Sequence, residues 1–386
     1  MSSTSVRERL ARGASALSLA GVLCIAPRAL AAQGTLSTQG FGYPPGQWSA
    51  RAEGAGGAVA QIDPLSAVNP ASIAGLGAQL LFFEAQPEFR NVTGPGGSDH
   101  TKLSRFPELF AAIPVGSRWV VSIGASTLLD RTSASSVPSS QIAGTDTVGE
   151  TTKLKLEGAI DDVRLAFGLQ ARSWLQLGLG LHAITGRNLV TLSQTFSDTA
   201  TFSNFSQQRQ LSYEGDAISV GAIVTGFNLR GAASYRYGGV MRVVAGDTVL
   251  GRGNVPDYFG ASLAYTGIKN STIAVSTAHD AWSSMGPMGT PSLVAHDAWD
   301  TSIGADMAGP NLAGHVLQVR AGVRDRDLPF GPAGAQVGER SISGGLGAGW
   351  AGGHVITDLA VTRANRSASG ITEKAWIISL GLTIRP

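Results

Sequence analysis

Charged side chains at regular spacing are the residues of this sequence that are best suited to bind a ligand. Arg320 and Arg324 lie four residues apart in a segment of alternating character, and a planar guanidinium fork suits a carboxylate. We therefore predict these two as candidates for binding the carboxylate of a ligand. An unpaired buried charge is costly, so most of the larger set should pair with one another or with backbone: Arg164, Arg230, Arg236, Arg320, Arg324, Asp300, Asp306 and Asp358.

Motifs for catalysis or metal binding are absent from the sequence. It contains no Gly-x-Ser-x-Gly elbow, no His-Glu-x-x-His and no phosphate-binding loop. His182 is the histidine whose position best suits a membrane-embedded Ser/His hydrolase, but we interpret it as a polar side chain bonded to a neighbour. No His, Asp or Glu group has the spacing of metal ligands. The sequence thus predicts no catalytic residue, no metal site, no cofactor and no enzyme.

The segments that must position these charges alternate apolar and polar residues. Near the end of the chain, Trp376, Leu380 and Ile384 fall on one face and Ser379 on the other. This period of two predicts β-strands. An arginine that faces lipid near the bilayer midplane costs roughly 2–4 kcal/mol, so the arginine-bearing faces should point inward.

About fourteen segments have this pattern, and their connections alternate between short and long. They lie near 78–90, 105–115, 118–129, 152–171, 173–194, 208–225, 228–239, 256–266, 270–281, 297–308, 314–325, 339–350, 354–365 and 373–385. The long connections lie near 91–104, 130–150, 195–207, 240–255, 282–296 and 326–338. Short periplasmic turns and long external loops are typical of outer-membrane barrels. The sequence predicts an all-β fold, a transmembrane antiparallel β-barrel of about 14 strands.

Five of the seven tryptophans support a membrane barrel, because they lie at strand ends where interfacial aromatic girdles are expected. They are Trp119, Trp174, Trp299, Trp350 and Trp376.

The stretch 47–76 has no strand pattern. It reads QWSARAEGAGGAVAQIDPLSAVNPASIAGL, with glycines at Gly54, Gly56 and Gly57 and a breaker at Pro70. Such a composition favours a compact, irregular segment with one or two helical turns. We expect it to lie inside the lumen as an N-terminal hatch or plug.

Two runs in this stretch, ARAEGAGGA and DPLSAVNPASIAGL, resemble the amino-terminal hatch of the FadL-type outer-membrane transporters of hydrophobic compounds. The run HDAWS at 279–283 is similar to the end of a late strand of that family. The resemblance implies a fourteen-stranded barrel plugged by its amino-terminal segment, which passively admits fatty acids or aromatic hydrocarbons. The residues it implies for the hatch or gate are Gly54, Gly56, Gly57, Asn69, Pro70 and Ala71.

Residues 1–31 are typical of an export signal, with arginines, an apolar run at 14–26 and an Ala-Leu-Ala cleavage site at 29–31. Cys24, the only cysteine, lies within it. Its removal takes away four Arg and one Glu and leaves 25 basic and 26 acidic residues, so no basic surplus suggests nucleic-acid binding. The predicted domains are a signal peptide at 1–31, an N-terminal segment and hatch at 32–77, and an outer-membrane β-barrel at 78–386.

Phe196, Phe202 and Phe205 lie among small polar residues in the predicted external loop 195–206. We predict either a landing site for a hydrophobic ligand or a loop packed onto itself. The expected protein is a monomer of the bacterial outer membrane. Its expected partners are outer-membrane lipid, a hydrophobic small-molecule ligand and, during biogenesis, the barrel-assembly machinery.

Other classes of protein fit the same sequence pattern. A PorV-like barrel that serves as an accessory for protein secretion or surface assembly, or a structural outer-membrane protein, would have the same strands. A secreted, soluble β-sandwich would share the alternation. The tryptophan girdles, the loop asymmetry and the single uninterrupted series of strands oppose the sandwich.

Overall fold

A computed structural model describes residues 36–38, 40–94, 97–143, 146–198, 202–289, 294–312 and 315–386. The predicted signal peptide lies outside these residues. The strands are β1 (Leu80–Gly94), β2 (Gly97–Arg105), β3 (Glu108–Val115), β4 (Trp119–Asp130), β5 (Ser133–Ala143), β6 (Asp146–Arg172), β7 (Leu175–Phe196), β8 (Phe205–Gly226), β9 (Leu229–Ala245), β10 (Thr248–Asn254), β11 (Tyr258–Tyr265), β12 (Ser271–Asp280), β13 (Ala298–Leu312), β14 (His315–Leu328), β15 (Val337–Trp350), β16 (Val355–Ala368) and β17 (Ile371–Ile384).

Helical structure is sparse in the described part of the chain. One α-helix, α1 (Ala50–Gly54), is accompanied by 3-10 turns at Leu36–Thr38, Ser72–Gly75, Trp282–Met288, Pro332–Gly334 and Ala351–Gly353. No helix in the described ranges is long and apolar enough to cross a membrane.

In three cases two strands lie end to end beside the same neighbouring strand and together occupy one position in the sheet. β2 and β3 both pair with β1, β4 and β5 both pair with β6, and β10 and β11 both pair with β9. The seventeen strands of the described residues therefore occupy fourteen positions around the sheet, called staves below. β1 pairs with β17, so that the antiparallel sheet closes into a barrel. The predicted fold class and strand number are confirmed.

The two faces of the sheet differ as the alternation predicts. On β17, Trp376 and Leu380 are exposed on the outer face, whereas Ser379 is fully buried on the inner one. Arg320 and Arg324 also point inward, with 4% and 8% of their surface exposed. The outer face is apolar across many strands, which is what contact with lipid requires.

The five predicted girdle tryptophans all face outward, each 42–55% exposed. Trp119, Trp174 and Trp350 lie at the rim where β17 ends, and Trp299 lies toward the opposite rim. Trp376 lies inside β17 rather than at its end, because the strand continues past the apolar belt to Ile371.

Three of the predicted long loops are hairpins instead. The connections near 91–104, 130–150 and 240–255 are largely β1–β2, β5–β6 and β9–β10 pairs. The alternation of apolar and polar residues does not reveal these hairpins, because they extend beyond the lipid-facing apolar belt, where neither face of a strand needs to be apolar. At this level of β6, for example, Lys153 and Lys155 face outward and Leu154 faces inward.

Candidate functional site in the barrel lumen

Residues 47–76, called the inner segment below, pack inside the barrel. α1 contacts β14 to β17, and the Ser72–Gly75 turn contacts β4 and β6 to β8. Ala52, Ala55 and Ile73 have no exposed surface. The segment therefore reaches from one wall of the lumen to the other.

Asn69, Pro70 and Ala71 form a turn that is internal to the inner segment. The Asn69 side-chain oxygen accepts a hydrogen bond from the Ala71 N–H at 2.9 Å, and its amide donates to the Gln61 carbonyl at 2.9 Å. The Ser72 hydroxyl donates to the Asn69 carbonyl at 2.8 Å. Asn is suited to such side-chain-to-backbone turns. Strand pairing does not involve these bonds.

Glycines of the wall make room for the backbone of the inner segment. A Cβ added at Gly322 would lie 2.2 Å from the carbonyl carbon of Ala55, and one added at Gly178 would lie 2.2 Å from the nitrogen of Ala71. Real Cβ atoms essentially never show contacts under 3.0 Å. The wall glycines whose added Cβ would meet the backbone of the segment under 3.0 Å are Gly168, Gly178, Gly304 and Gly322.

The three predicted hatch glycines also have local reasons to be glycine. Gly56 and Gly57 have φ values of 66° and 84°, a region that residues with a Cβ rarely adopt. A Cβ on Gly57 would lie 2.2 Å from the Trp48 ring. At Gly54 it would lie 3.1 Å from the Cα of Gly345, so this position also needs a small residue.

Arg320 is enclosed between the wall and α1 and is already paired. Its Nη1 donates to Asp358 at 2.6 Å, and its Nε lies 3.2 Å from Asp306. Arg51 of the inner segment donates to the same Asp306 at 2.8 Å. Arg320 therefore joins the wall to the segment, and a ligand would reach it only after α1 moved.

Arg324 is also paired but lies closer to open space. Its Nε lies 2.9 and 3.0 Å from the two Asp300 oxygens, and its guanidinium stacks 3.9 Å from the centre of the Trp48 ring. Glu53 of α1 accepts from the Thr362 hydroxyl at 2.9 Å. Burial raises the pKa of Glu53. The positive charge of Arg324 and the hydrogen bond from Thr362 lower it, but only in part.

His182 lies in a chain of hydrogen bonds that crosses from the wall to the inner segment. Its Nδ1 is 2.8 Å from Asp162, and its Nε2 is 2.8 Å from the Ser219 hydroxyl. The order of groups matches a Ser-His-Asp relay, yet Ser219 is buried and Asp162 also accepts from Gln47 at 2.9 Å. The predicted bonding of His182 to a neighbour is confirmed. Through Asp162, this series of hydrogen bonds also holds the side chain of Gln47 in place.

Tyr43, which sequence analysis missed, is the centre of a buried charge network. Its hydroxyl accepts from Arg326 and from Arg366, the latter at 2.9 Å, and donates to Glu339 at 3.2 Å. Burial raises the pKa of Tyr43, and the two arginines oppose this rise. The guanidinium groups within 5.6 Å of the ring centre belong to Arg90, Arg105, Arg326 and Arg366. GFGYPPG has no periodicity that would have identified Tyr43.

An apolar cluster of buried residues includes side chains of the Trp282–Met288 turn and Phe330. Three methionines, Met241, Met285 and Met288, belong to it, and methionine adapts readily to varied partners. Its members are Phe41, Leu128, Leu129, Ile160, Ile184, Tyr213, Ala217, Met241, Val243, Val255, Trp282, Met285, Met288, Ala298 and Phe330. Sequence analysis missed this cluster, because several members come from strand extensions and turns.

The predicted aromatic loop is only partly assembled as a surface. Phe196 and Phe202 stack on each other with ring centres 5.1 Å apart, and Phe205 begins β8 with its ring exposed. Residues 199–201 lie outside the described part. In the described ranges, no group of three or more His, Cys, Asp or Glu could hold a metal ion.

A closed fourteen-stave barrel with an amino-terminal segment packed in its lumen is the fold of the FadL-type outer-membrane barrels. Comparison with solved structures supports this assignment of the fold. The chain is similar to a Pseudomonas aeruginosa FadL homologue, at 12% identity and a TM-score of 0.59, over 89% of this chain and 99% of that one.

Two further solved structures have the same architecture. The CymD monoaromatic hydrocarbon channel is 13% identical, with a TM-score of 0.56, over 88% of this chain and 97% of that one. The Pseudomonas putida toluene transporter TodX is 15% identical, with a TM-score of 0.53, over 90% and 99%. No protein-family model matches the chain, and no curated protein matches its sequence.

Proposed function

We propose that this protein is a bacterial outer-membrane channel for the passive transport of hydrophobic small molecules. The observation that carries the proposal is the apolar cluster inside the barrel, since a channel for polar solutes would line its lumen with polar groups. The outward apolar belt supports placement in a membrane. The likeness in fold to hydrocarbon channels points to the same class of solute, such as aromatic hydrocarbons or long-chain fatty acids.

In this proposal the inner segment is a hatch. It crosses the lumen, contacts wall glycines backbone to backbone, and carries Asn69, Pro70, Ala71, Gly54, Gly56 and Gly57. The corresponding domains are the signal peptide at 1–31, the segment with the hatch at 32–77 and the barrel at 78–386. A solute passes when the hatch changes conformation, a gating role that is common for mobile segments at binding sites.

A seam in the wall offers a second point of passage. Among the described residues, β2 pairs only with β1, and β5 pairs only with β6. Arg105 at the end of β2 donates to Asp130 at the end of β4 at 2.6 Å, and Tyr43 pairs with the backbone of Asp130. One side-chain ion pair and one isolated backbone bridge, rather than a strand ladder, therefore close the seam, so we propose that an apolar molecule can cross the wall here.

We further propose that the protein has no enzymatic role, acts as a monomer and binds outer-membrane lipid through its belt. The Asp162–His182–Ser219 chain serves to hold Gln47, because Ser219 is buried and its proton acceptor is part of a structural network. Assembly of the barrel by the barrel-assembly machinery follows from the proposed location.

Uptake measurements test the proposed function. Cells that export the protein should accumulate radiolabelled toluene or oleate faster than cells without it, at equal surface abundance and without any change in uptake of a hydrophilic sugar. Equal uptake of all three solutes by both kinds of cell contradicts the proposal. Loss of a surface-exposed protein in cells without this chain would instead favour the secretion-accessory class.

A further inference from the structure

A small cavity lies between the inner segment and the outer turn Trp282–Met288. Its volume is about 60 Å³, room for roughly four to six water molecules. Trp48, Tyr258 and Trp282 provide aromatic walls. A space of this size holds the polar end of a small ligand rather than a whole molecule.

The cavity continues into the apolar cluster. Leu128, Trp282 and Ala298 line the cavity and are also members of the cluster. A ligand whose polar end occupies the cavity would therefore place its apolar body among the cluster side chains, which include Met285 and Met288.

Two of the arginines at the cavity are neutralised by carboxylates of the wall. Arg324 holds both oxygens of Asp300, and Arg326 donates to Glu339 at 2.5 Å. A ligand carboxylate would have to displace these acids, because the two guanidinium groups already have charged partners.

Asp280 is an acidic group at the cavity that lacks such a partner. Its side chain is 24% exposed, and its nearest cation, Arg236 Nη2, lies 3.8 Å away, beyond hydrogen-bond distance. Arg236 donates through Nη1 to Gln47 at 2.9 Å. In the described part of the chain, no donor hydrogen-bonds the Asp280 carboxylate, which therefore faces the cavity as a free acceptor.

We propose that this cavity binds the polar end of a small hydrophobic molecule that carries a hydrogen-bond donor, an amine or a hydroxyl, with Asp280 as the acceptor. This inference rests on the proposed function and assigns a class of solute to it. An amine gains a charge-assisted hydrogen bond, a hydroxyl a neutral one, and a carboxylate is repelled by Asp280.

Four probes of nearly equal size test the inference: benzylamine, benzyl alcohol, toluene and benzoate. Binding to the purified, exported chain in mild detergent is measured by titration calorimetry at pH 7.5. We expect benzylamine to bind most tightly, followed by benzyl alcohol, toluene and benzoate. A hydrogen bond to a charged group corresponds to about a 10- to 100-fold preference, so Asp280→Asn should lower benzylamine affinity by that factor and leave toluene affinity unchanged.

The matched control is Asp325→Asn, on the outer face of β14, where Asp325 is 63% exposed and pairs with Arg340. It should preserve the order of affinities. Ala278→Leu fills the cavity from its wall and should weaken benzylamine while the barrel stays folded, as checked by heat-dependent gel migration.

The inference is overturned if benzoate binds as tightly as benzylamine, or if Asp280→Asn keeps the amine preference. Toluene separates this failure from failure of the proposed function. If toluene binds but the protein shows no preference among benzylamine, benzyl alcohol and benzoate, only the inference is contradicted. If toluene is neither bound nor taken up, both the inference and the proposed function are contradicted.

Discussion

The contact between wall glycines and the inner segment gives the sharpest prediction. In Gly322→Ala, the new Cβ would lie 2.2 Å from the Ala55 carbonyl carbon, whereas ordinary contact begins at 3.4 Å, so the segment must retreat by about 1.2 Å. Gly178→Ala makes an equally close contact with the Ala71 nitrogen on another wall of the lumen. Overpacking costs about 1–3 kcal/mol per site, and separated sites add.

The double variant should therefore favour displacement of the inner segment by about 2–6 kcal/mol, which is roughly a 30- to 10⁴-fold shift in the ratio of displaced to packed segment. Single-channel conductance in planar bilayers measures this shift as more frequent or longer open events. Gly231→Ala is the control, since its added Cβ meets nothing within 4 Å. If the double variant, folded by its heat-dependent gel migration, conducts no better than this control, the segment does not obstruct the lumen.

Four further predictions follow from individual residues. Tyr43→Phe removes the hydroxyl between Arg326 and Arg366 and should lower the free energy of unfolding by about 1–3 kcal/mol, measured by the temperature at which gel migration changes; an unchanged temperature contradicts its bridging role. Replacing Asn69 and Pro70 by Ala should alter toluene or oleate uptake while the barrel stays folded, and unchanged uptake at equal abundance contradicts a gating turn. Because the pKa of Glu53 is raised above its ordinary value of 4.5, its ionisation destabilises the folded state as pH rises through the raised pKa. Glu53→Gln should therefore raise the unfolding temperature at pH 8 but not at a pH below 4.5. An equal gain at both pH values refutes the linkage. Intact mass of the exported chain should show that it begins at Ala32, and a retained leader would disprove the predicted cleavage.

The strands that cross the apolar belt could be predicted from sequence because the belt imposes a strict period of two. Lipid on one side and a packed lumen on the other leave each residue one acceptable face. Trp376 and Ser379 illustrate this on β17. Above the belt that constraint is absent, which is why the hairpins around 91–104 and 240–255 looked like loops.

The charged lumen residues were predicted as a set, but their partners were not. Arg320 meets Asp358, two strands away, and Asp306 on β13. Such pairs depend on strand register and on where the inner segment lies, and neither can be read from the spacing of charges along one strand. For the same reason, the sequence could not indicate that Asp280 would be left without a hydrogen bond.

Attachment at both ends limits how the proposed hatch can move. Tyr43 on its amino-terminal side is held by Arg326, Arg366 and Glu339, and on the carboxyl side the chain enters β1, where Leu80 pairs with β3. Ejection of the whole segment would break the buried network around Tyr43, at a cost of several kcal/mol for each charge left unpaired. Local rearrangement breaks only contacts such as those of Gln47, so we infer that the segment opens by refolding within the lumen rather than by leaving it.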